Sequence, residues 1–145
     1  MRVVVQRVLN AKCTVNNNIT GNITNGYLLL VGFTNGDNLE SIKKAAKKIV
    51  NLRIFEDENQ KMNLNIKQVN GSILSISQFT LYANTDNGNR PSFIDSLNHH
   101  DADNLYHLFN NELQNYDIKV ETGIFGEHME LEFINDGPVT IILDF

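Results

Sequence analysis

Residues 26–33 read GYLLLVGF, a near-continuous apolar run that contains glycine. A membrane helix needs about 20 apolar residues, so this run is too short to span a bilayer. Its length fits a strand buried on both faces rather than one that alternates between core and solvent. A sheet with a buried central strand is therefore the first commitment the chain makes.

Its neighbours extend that sheet. Residues 2–9 are valine-rich and read as a first strand. Residues 12–16 and 19–23 look like a hairpin turning at Asn17 and Asn18. Asp37 then opens a helix, with Asp37 and Glu40 at capping-box spacing. Leu39, Ile42, Ala46, Ile49 and Val50 recur at helical spacing and give one apolar face, while Lys43, Lys44, Lys47 and Lys48 lie opposite. A short strand is expected at 53–55, a polar loop over 57–69 and a moderately alternating strand over 71–83. Residues 84–91, NTDNGNRP, are the clearest loop. Asp101 is placed to cap a second helix that turns Leu105, Leu108, Phe109 and Leu113 to one side. The last strands fall at 118–122, 129–135 and 139–145. Runs of strands with few helices predict a single α+β domain over residues 1–145, built on a mainly antiparallel, barrel-like sheet with two main helices.

Composition narrows the function classes. A chain of 145 residues, 41% of them hydrophobic, is large enough for a core without staples. Its formal net charge of -5 disfavours bulk electrostatic binding of nucleic acid, although a local basic patch such as the helix lysines could still meet phosphate. The single cysteine, Cys13, precludes an intrachain disulfide and suits a reducing compartment. The opening MRVVVQRVLNAKC lacks the apolar segment of a signal peptide, so a cytoplasmic location is expected, with no membrane association.

Four constellations bear on chemistry. In Ser77-Gln78-Phe79-Thr80, alternation along a strand would set Gln78 and Thr80 on the face of Leu74 and Ile76. Either the strand rises out of the core there, or these polar side chains line a pocket, because burying them unpaired is costly. Asn135-Asp136-Gly137-Pro138 is, residue by residue, turn chemistry between two strands, and a hairpin is its plain reading. His99, His100 and His107 stand near Asp101 and Asp103, but adjacent histidines diverge and the third is two helical turns away, so a solvated helix entry is preferred to a metal site. Cys13 has no Cys–His partner signature and reads as a buried, inert thiol. No phosphate loop, dinucleotide fingerprint, paired CxxC or nucleophile elbow occurs.

Taken together, SQFTL at 77–81 and NDGPVT at 135–140 resemble the two signature motifs of the D-aminoacyl-tRNA deacylase family. The resemblance runs through the chain: VVQRV at 4–8, GNRPSF at 88–93 and TGIFGEHM at 122–129 are similar to family segments in the same order. Departures lie outside the two motifs, with Asn84 where aspartate is frequent, Asp86 and Asn87 where a lysine is common, and Glu127 where a small residue is usual.

This resemblance implies a homodimer whose active sites lie at the interface, with SQFTL of one subunit facing GPVT of the other. Gly137-Pro138 would be the family's cis-proline element. It would accept the α-ammonium of a D-aminoacyl group on its carbonyls and exclude L-residues sterically, while glycine passes. The substrate would be the aminoacyl ester on the 3′-terminal adenosine of tRNA. Backbone N–H groups near Phe79 and Thr80 would stabilise the oxyanion, and Ser77 and Gln78 would hold the adenosine. Phe125 and Met129 would support the adenine. Thr80 has no general base to make it a nucleophile, and the resemblance implies no metal and no cofactor. Two rivals stand beside this reading: a catalytically silent tRNA or nucleotide binder, and a metal-dependent hydrolase using the histidines.

Overall fold

A computed structural model describes all 145 residues. The first strand, β1, is longer than its valine-rich opening suggests and runs without a break over Arg2–Val15. It pairs antiparallel with three partners. One edge meets β3 (Gly26–Gly32) and then β2 (Asn18–Ile23), and the other meets β8 (Glu130–Asp144) along almost its whole length. The β1–β2 turn is carried by Asn16 and Asn17, both at positive φ (49° and 64°), one residue earlier than expected. Asparagine tolerates this region better than most residues, and two such residues in succession match the strand twist.

After β3 come α1 (Leu39–Val50), a small hairpin of β4 (Phe55–Glu56) and β5 (Met62–Leu64), and β6 (Ser72–Ser77). The hairpin occupies part of what reads as loop in the sequence. β6 pairs parallel with β3, because a helical crossover separates them. α2 (His99–Gln114) makes a second crossover to β7 (Val120–Thr122), which pairs parallel with β6. The sheet is thus mixed: the three pairings of β1 are antiparallel, and the two reached through helices are parallel. β7 curls back toward β2, where a Cβ on Gly21 would stand 2.9 Å from the Thr122 carbonyl oxygen, so the barrel is nearly closed.

The core has two parts. Val3, Val5, Tyr27, Leu29 and Ile73 face the helices, whereas Leu28, Leu74, Ile76 and Cys13 fill the barrel. β1 contributes to both because register shifts near Val8 reverse which side chains point inward: Val3 and Val5 meet the helices, but Ala11, Cys13 and Val15 meet the barrel. Cys13 is buried and free.

Helix capping differs from the sequence reading at both helices. Asn38, not Asp37, caps α1: its Oδ1 accepts from the N–H groups of Glu40 and Ser41, and Ser41 Oγ accepts from the Asn38 N–H. Asp37 is taken by the N-terminal ammonium at 2.5 Å and by the Thr34 N–H at 2.8 Å. Asn98 caps α2, accepting from the Asp101 N–H at 3.1 Å. The buried face of α2 carries Ala102, Tyr106, Phe109, Asn110 and Leu113; Leu108 is exposed, as is Leu39 on α1. No helix is long and apolar enough to cross a membrane.

Candidate active site

β6 ends at Ser77, and the chain folds at once into a single 3-10 turn over Phe79–Tyr82. The Gln78 N–H still reaches the Val31 carbonyl of β3 at 2.7 Å, but Leu81 and Ala83 then donate back to Gln78 and Thr80. The expected strand over 71–83 is therefore six residues long, and its alternation does not extend through the motif. Gly32 lets the turn sit on β3, since a Cβ there would lie 3.0 Å from the Gln78 carbonyl oxygen and 3.2 Å from Leu81 Cβ. Leu74 and Ile76 stay in the barrel, Gln78 is half-buried and Thr80 is exposed. Gln78 Nε2 donates to Thr80 Oγ1. The N–H groups of Phe79 and Thr80 open the turn and so have no acceptor within it.

A pocket of about 390 Å³ lies beside this turn. Ser77, Gln78 and Phe79 line it, and Phe125 and Met129 belong to the same lining. Five of the residues singled out from the sequence are thereby brought together. Thr80 lies outside the lining and is linked to it through Gln78. Sequence reasoning named His99 and Glu127 in other connections and assigned no other part of the pocket. Phe33 and Leu97 join it because the Leu97 N–H donates to the Phe33 carbonyl, a tertiary contact with no local signature.

His99 is also a wall, its ring edge-on to Phe125 with centroids 5.1 Å apart. The other histidines go elsewhere: His100 pairs with Asp101 and His107 with Asp103, each at 3.3 Å. No three His, Cys, Asp or Glu side chains converge as a metal-ligand group. Asp101 is held below the usual carboxylate range, first by the Asn98 side-chain amide and then by His100.

The second motif is not a hairpin turn. Residues 135–140 lie inside β8, which continues to Asp144. Gln6 of β1 faces Thr140 and Val8 faces Asn135, so only Arg7 stands opposite the four residues Asp136, Gly137, Pro138 and Val139. They form a bulge, which is how turn-forming residues are accommodated within a ladder that resumes on either side. Gly137 has φ +119°, open to glycine and strained for other residues, and the Gly137–Pro138 peptide is cis. Gly137 and Pro138 are exposed and do not line the pocket of their own chain.

Arg7 holds this bulge. Its side chain is 5% exposed, and its Nε lies 2.9 Å from Asp136 Oδ2, an ion pair whose N–H is not aligned for a hydrogen bond. Nη1 donates to the Ile54 carbonyl at 2.6 Å, and Glu56 lies 3.9 Å from Nη2. On the far flank, Asn135 Nδ2 donates to Gln6 Oε1 at 2.8 Å. The sequence did carry a signal for Arg7: it follows Val3 and Val5 at the same parity, a cation on the buried face of a strand.

Comparison with known proteins finds matches along nearly the whole chain. The family model described as D-Tyr-tRNA(Tyr) deacylase matches residues 4–144. A D-aminoacyl-tRNA deacylase of Lactobacillus gasseri is 56% identical over 144 residues, covering 99% of each chain. One from Thermosipho africanus is 52% identical, covering 99% of this chain and 97% of its own. Among solved structures, the c-Myc DNA Unwinding Element Binding Protein superposes with a TM-score of 0.93 at 34% identity, covering 100% of this chain and 99% of its own. A probable eukaryotic D-amino acid tRNA deacylase superposes at 0.85 with 18% identity, covering 99% and 98%, a likeness of fold.

Proposed function

The chain belongs to the D-aminoacyl-tRNA deacylase family, and from that premise we propose that it hydrolyses the ester joining a D-amino acid to the 3′-terminal adenosine of tRNA. The observation that carries the assignment to particular residues is the junction at Ser77. There the strand gives way to a turn whose two leading N–H groups are unused, at the edge of a pocket with an aromatic and a thioether in its lining.

In this reading the adenosine occupies the pocket, against Phe125 and Met129, with Ser77 and Gln78 fixing its position. Water attacks the ester carbonyl carbon. The tetrahedral oxyanion is met by the N–H groups of Phe79 and Thr80, donors that need no reorganisation as charge develops. Collapse expels the ribose 3′-oxygen, which takes up a proton, and the neighbouring 2′-hydroxyl assists the transfer. Thr80 Oγ accepts from Gln78 Nε2 and has no general base beside it, so its side chain is not the nucleophile. No metal or cofactor takes part.

The site is completed by a second subunit. β8 pairs only with β1, and it leaves Ile134 at 54% and Ile142 at 64% exposure beside the Gly137–Pro138 bulge. A long strand edge with exposed aliphatic residues suits a two-fold contact. Across it, the bulge of one chain would enter the pocket of the other. Its backbone carbonyls would take the α-ammonium, and its rigid surface would reject an L side chain. Glycyl-tRNA, including glycine misattached to alanine tRNA, would be cleaved because it lacks the rejected group. The enzyme would act in the cytoplasm, where tRNA is charged.

Matched D- and L-tyrosyl-tRNA test the reading directly. Release of D-tyrosine with survival of the L-ester is the expected result; equal cleavage of both, or of neither, refutes it.

A further inference from the structure

Outside the pocket, a cavity of about 580 Å³ opens beside the C-terminal half of α1. Lys44, Lys47, Lys48 and Asn51 line it from the helix, and Asp144 and Phe145 line it from the end of β8. Its charge is not balanced. Elsewhere Arg2, Arg7, Lys12 and Lys119 each stand within 4.0 Å of a carboxylate. Lys43, Lys44, Lys47 and Lys48 are exposed and have no such partner, although Glu40 lies one turn before Lys43 and Lys44. The acceptors that share the cavity are already engaged: Asp144 by Arg2 Nε at 2.7 Å, and the main-chain oxygen of Phe145 by the N-terminal ammonium at 3.3 Å.

Helix electrostatics do not call for this cluster. Cations in a last turn offset the helix dipole, yet α2 ends with no basic residue, and only Lys47 and Lys48 lie in the last turn of α1. In a chain of net charge -5, a compact group of unpaired cations reverses the sign locally. Such a patch suits a polyphosphate chain, which releases counterions as it binds. Position agrees with chemistry. Arg2 Nη1 donates to the Leu81 carbonyl of the active turn at 3.2 Å, while its Nε holds Asp144 on the rim of the cavity. A single arginine side chain therefore joins the turn that meets the ester to the rim of the lysine cavity.

We propose that the lysine face of α1 binds the phosphate backbone of the tRNA substrate while the terminal adenosine occupies the first pocket. The proposal rests on the deacylase reading of that pocket. An ammonium meets phosphate as a point charge and reads no base edge. The contact therefore contributes affinity common to all tRNAs, and discrimination stays with the pocket and the bulge.

The experiment compares D-tyrosyl-tRNA with the D-tyrosyl ester of adenosine, each over a series of salt concentrations. Lys44→Gln combined with Lys48→Gln removes two charges from exposed positions, and glutamine forms helix about as well as lysine. On the tRNA, kcat/KM should fall at least about 5-fold at 0.1 M salt, because one phosphate contact supplies roughly 5- to 8-fold there. The loss should lie in KM, with kcat unchanged. The slope of log kcat/KM against log salt concentration should become shallower by roughly 1.4–1.8, or about 0.7–0.9 per lysine. On the adenosine ester, which has no phosphate, the variant should match wild type. Lys61→Gln combined with Lys67→Gln removes the same charge from exposed lysines outside the cavity lining, and should leave tRNA kinetics near wild type. An unchanged salt slope in the α1 variant, an equal loss on the adenosine ester, or an equal loss from the Lys61 and Lys67 variant overturns the proposal. If the wild-type enzyme cleaves neither ester, the deacylase reading itself has failed.

Discussion

Replacing Arg7 with alanine is the most informative single perturbation of the bulge. Its guanidinium meets Asp136 at 2.9 Å and the Ile54 carbonyl at 2.6 Å from a buried position. A hydrogen bond from a charged donor contributes about 1.5–3 kcal/mol, and breaking a fully buried ion pair costs about 3–5 kcal/mol. Asp136 is 37% exposed, so water can solvate it once Arg7 is gone, and the ion-pair contribution falls toward that of a surface pair. A net loss of about 2–4 kcal/mol follows, or roughly 4–16 °C in Tm at about 2–4 °C per kcal/mol for a chain of this size. The functional consequence is sharper. With Asp136 released, the Gly137 and Pro138 carbonyls lose their fixed direction, and discrimination between D- and L-aminoacyl-tRNA should erode at temperatures where the variant is fully folded. Arg7→Lys keeps the charge but not the planar fork that serves two acceptors, and should fall between wild type and alanine in both measurements. Thermal unfolding by circular dichroism and paired D/L deacylation assays provide the data. A folded Arg7→Ala protein with wild-type D/L selectivity would refute the claim that Arg7 holds the bulge.

Thr80→Ala should retain most activity, because the donor assigned here is the backbone N–H, whereas Thr80→Pro deletes that N–H and should abolish turnover; a folded, substrate-binding but inactive alanine variant would reverse the assignment. Light scattering should give about twice the 16.4 kDa chain mass, and Ile142→Glu on the open edge of β8 should yield monomers without activity; an active monomer refutes the shared site. Gly137→Ala should impair deacylation and lower Tm, since its Cβ would lie 2.8 Å from Val139 Cγ2 at a φ that side chains avoid. Burial raises the Tyr106 hydroxyl to about 12 from its ordinary 10. The unfolded chain then gives up this proton first, so the folded state loses stability above pH 10, by at most about 1.4 kcal/mol per pH unit for one group, until pH 12. Tyr106→Phe should flatten that part of a urea-unfolding pH series.

Much of the fold was legible in local pattern. The apolar run at 26–33 did become the buried β3, and the spacing of Ile42, Ala46, Ile49 and Val50 did mark the inner face of α1. Errors came where one residue had two possible uses. Asp37 has the chemistry of a cap, but the chain terminus claims its carboxylate and Asn38 caps instead. On α2, Leu108 fits the apolar spacing as well as Tyr106 does, and only contact with β6 through the Tyr106–Ser75 hydrogen bond shows which one points inward.

The sequence by itself determined the family, through motifs in a fixed order along the chain, and named five residues that meet in the pocket. It could not determine how those motifs are built. SQFT continues a strand by composition, yet β6 stops at Ser77 because Gly32 on the neighbouring strand leaves room for a 3-10 turn. NDGP has the composition of a hairpin, yet β1 continues past it on the other side, so the ladder absorbs the four residues as a bulge opposite Arg7. In both cases the local sequence is compatible with two backbone paths. The choice is made by a partner far away in the chain, and that information exists only once the sheet has formed.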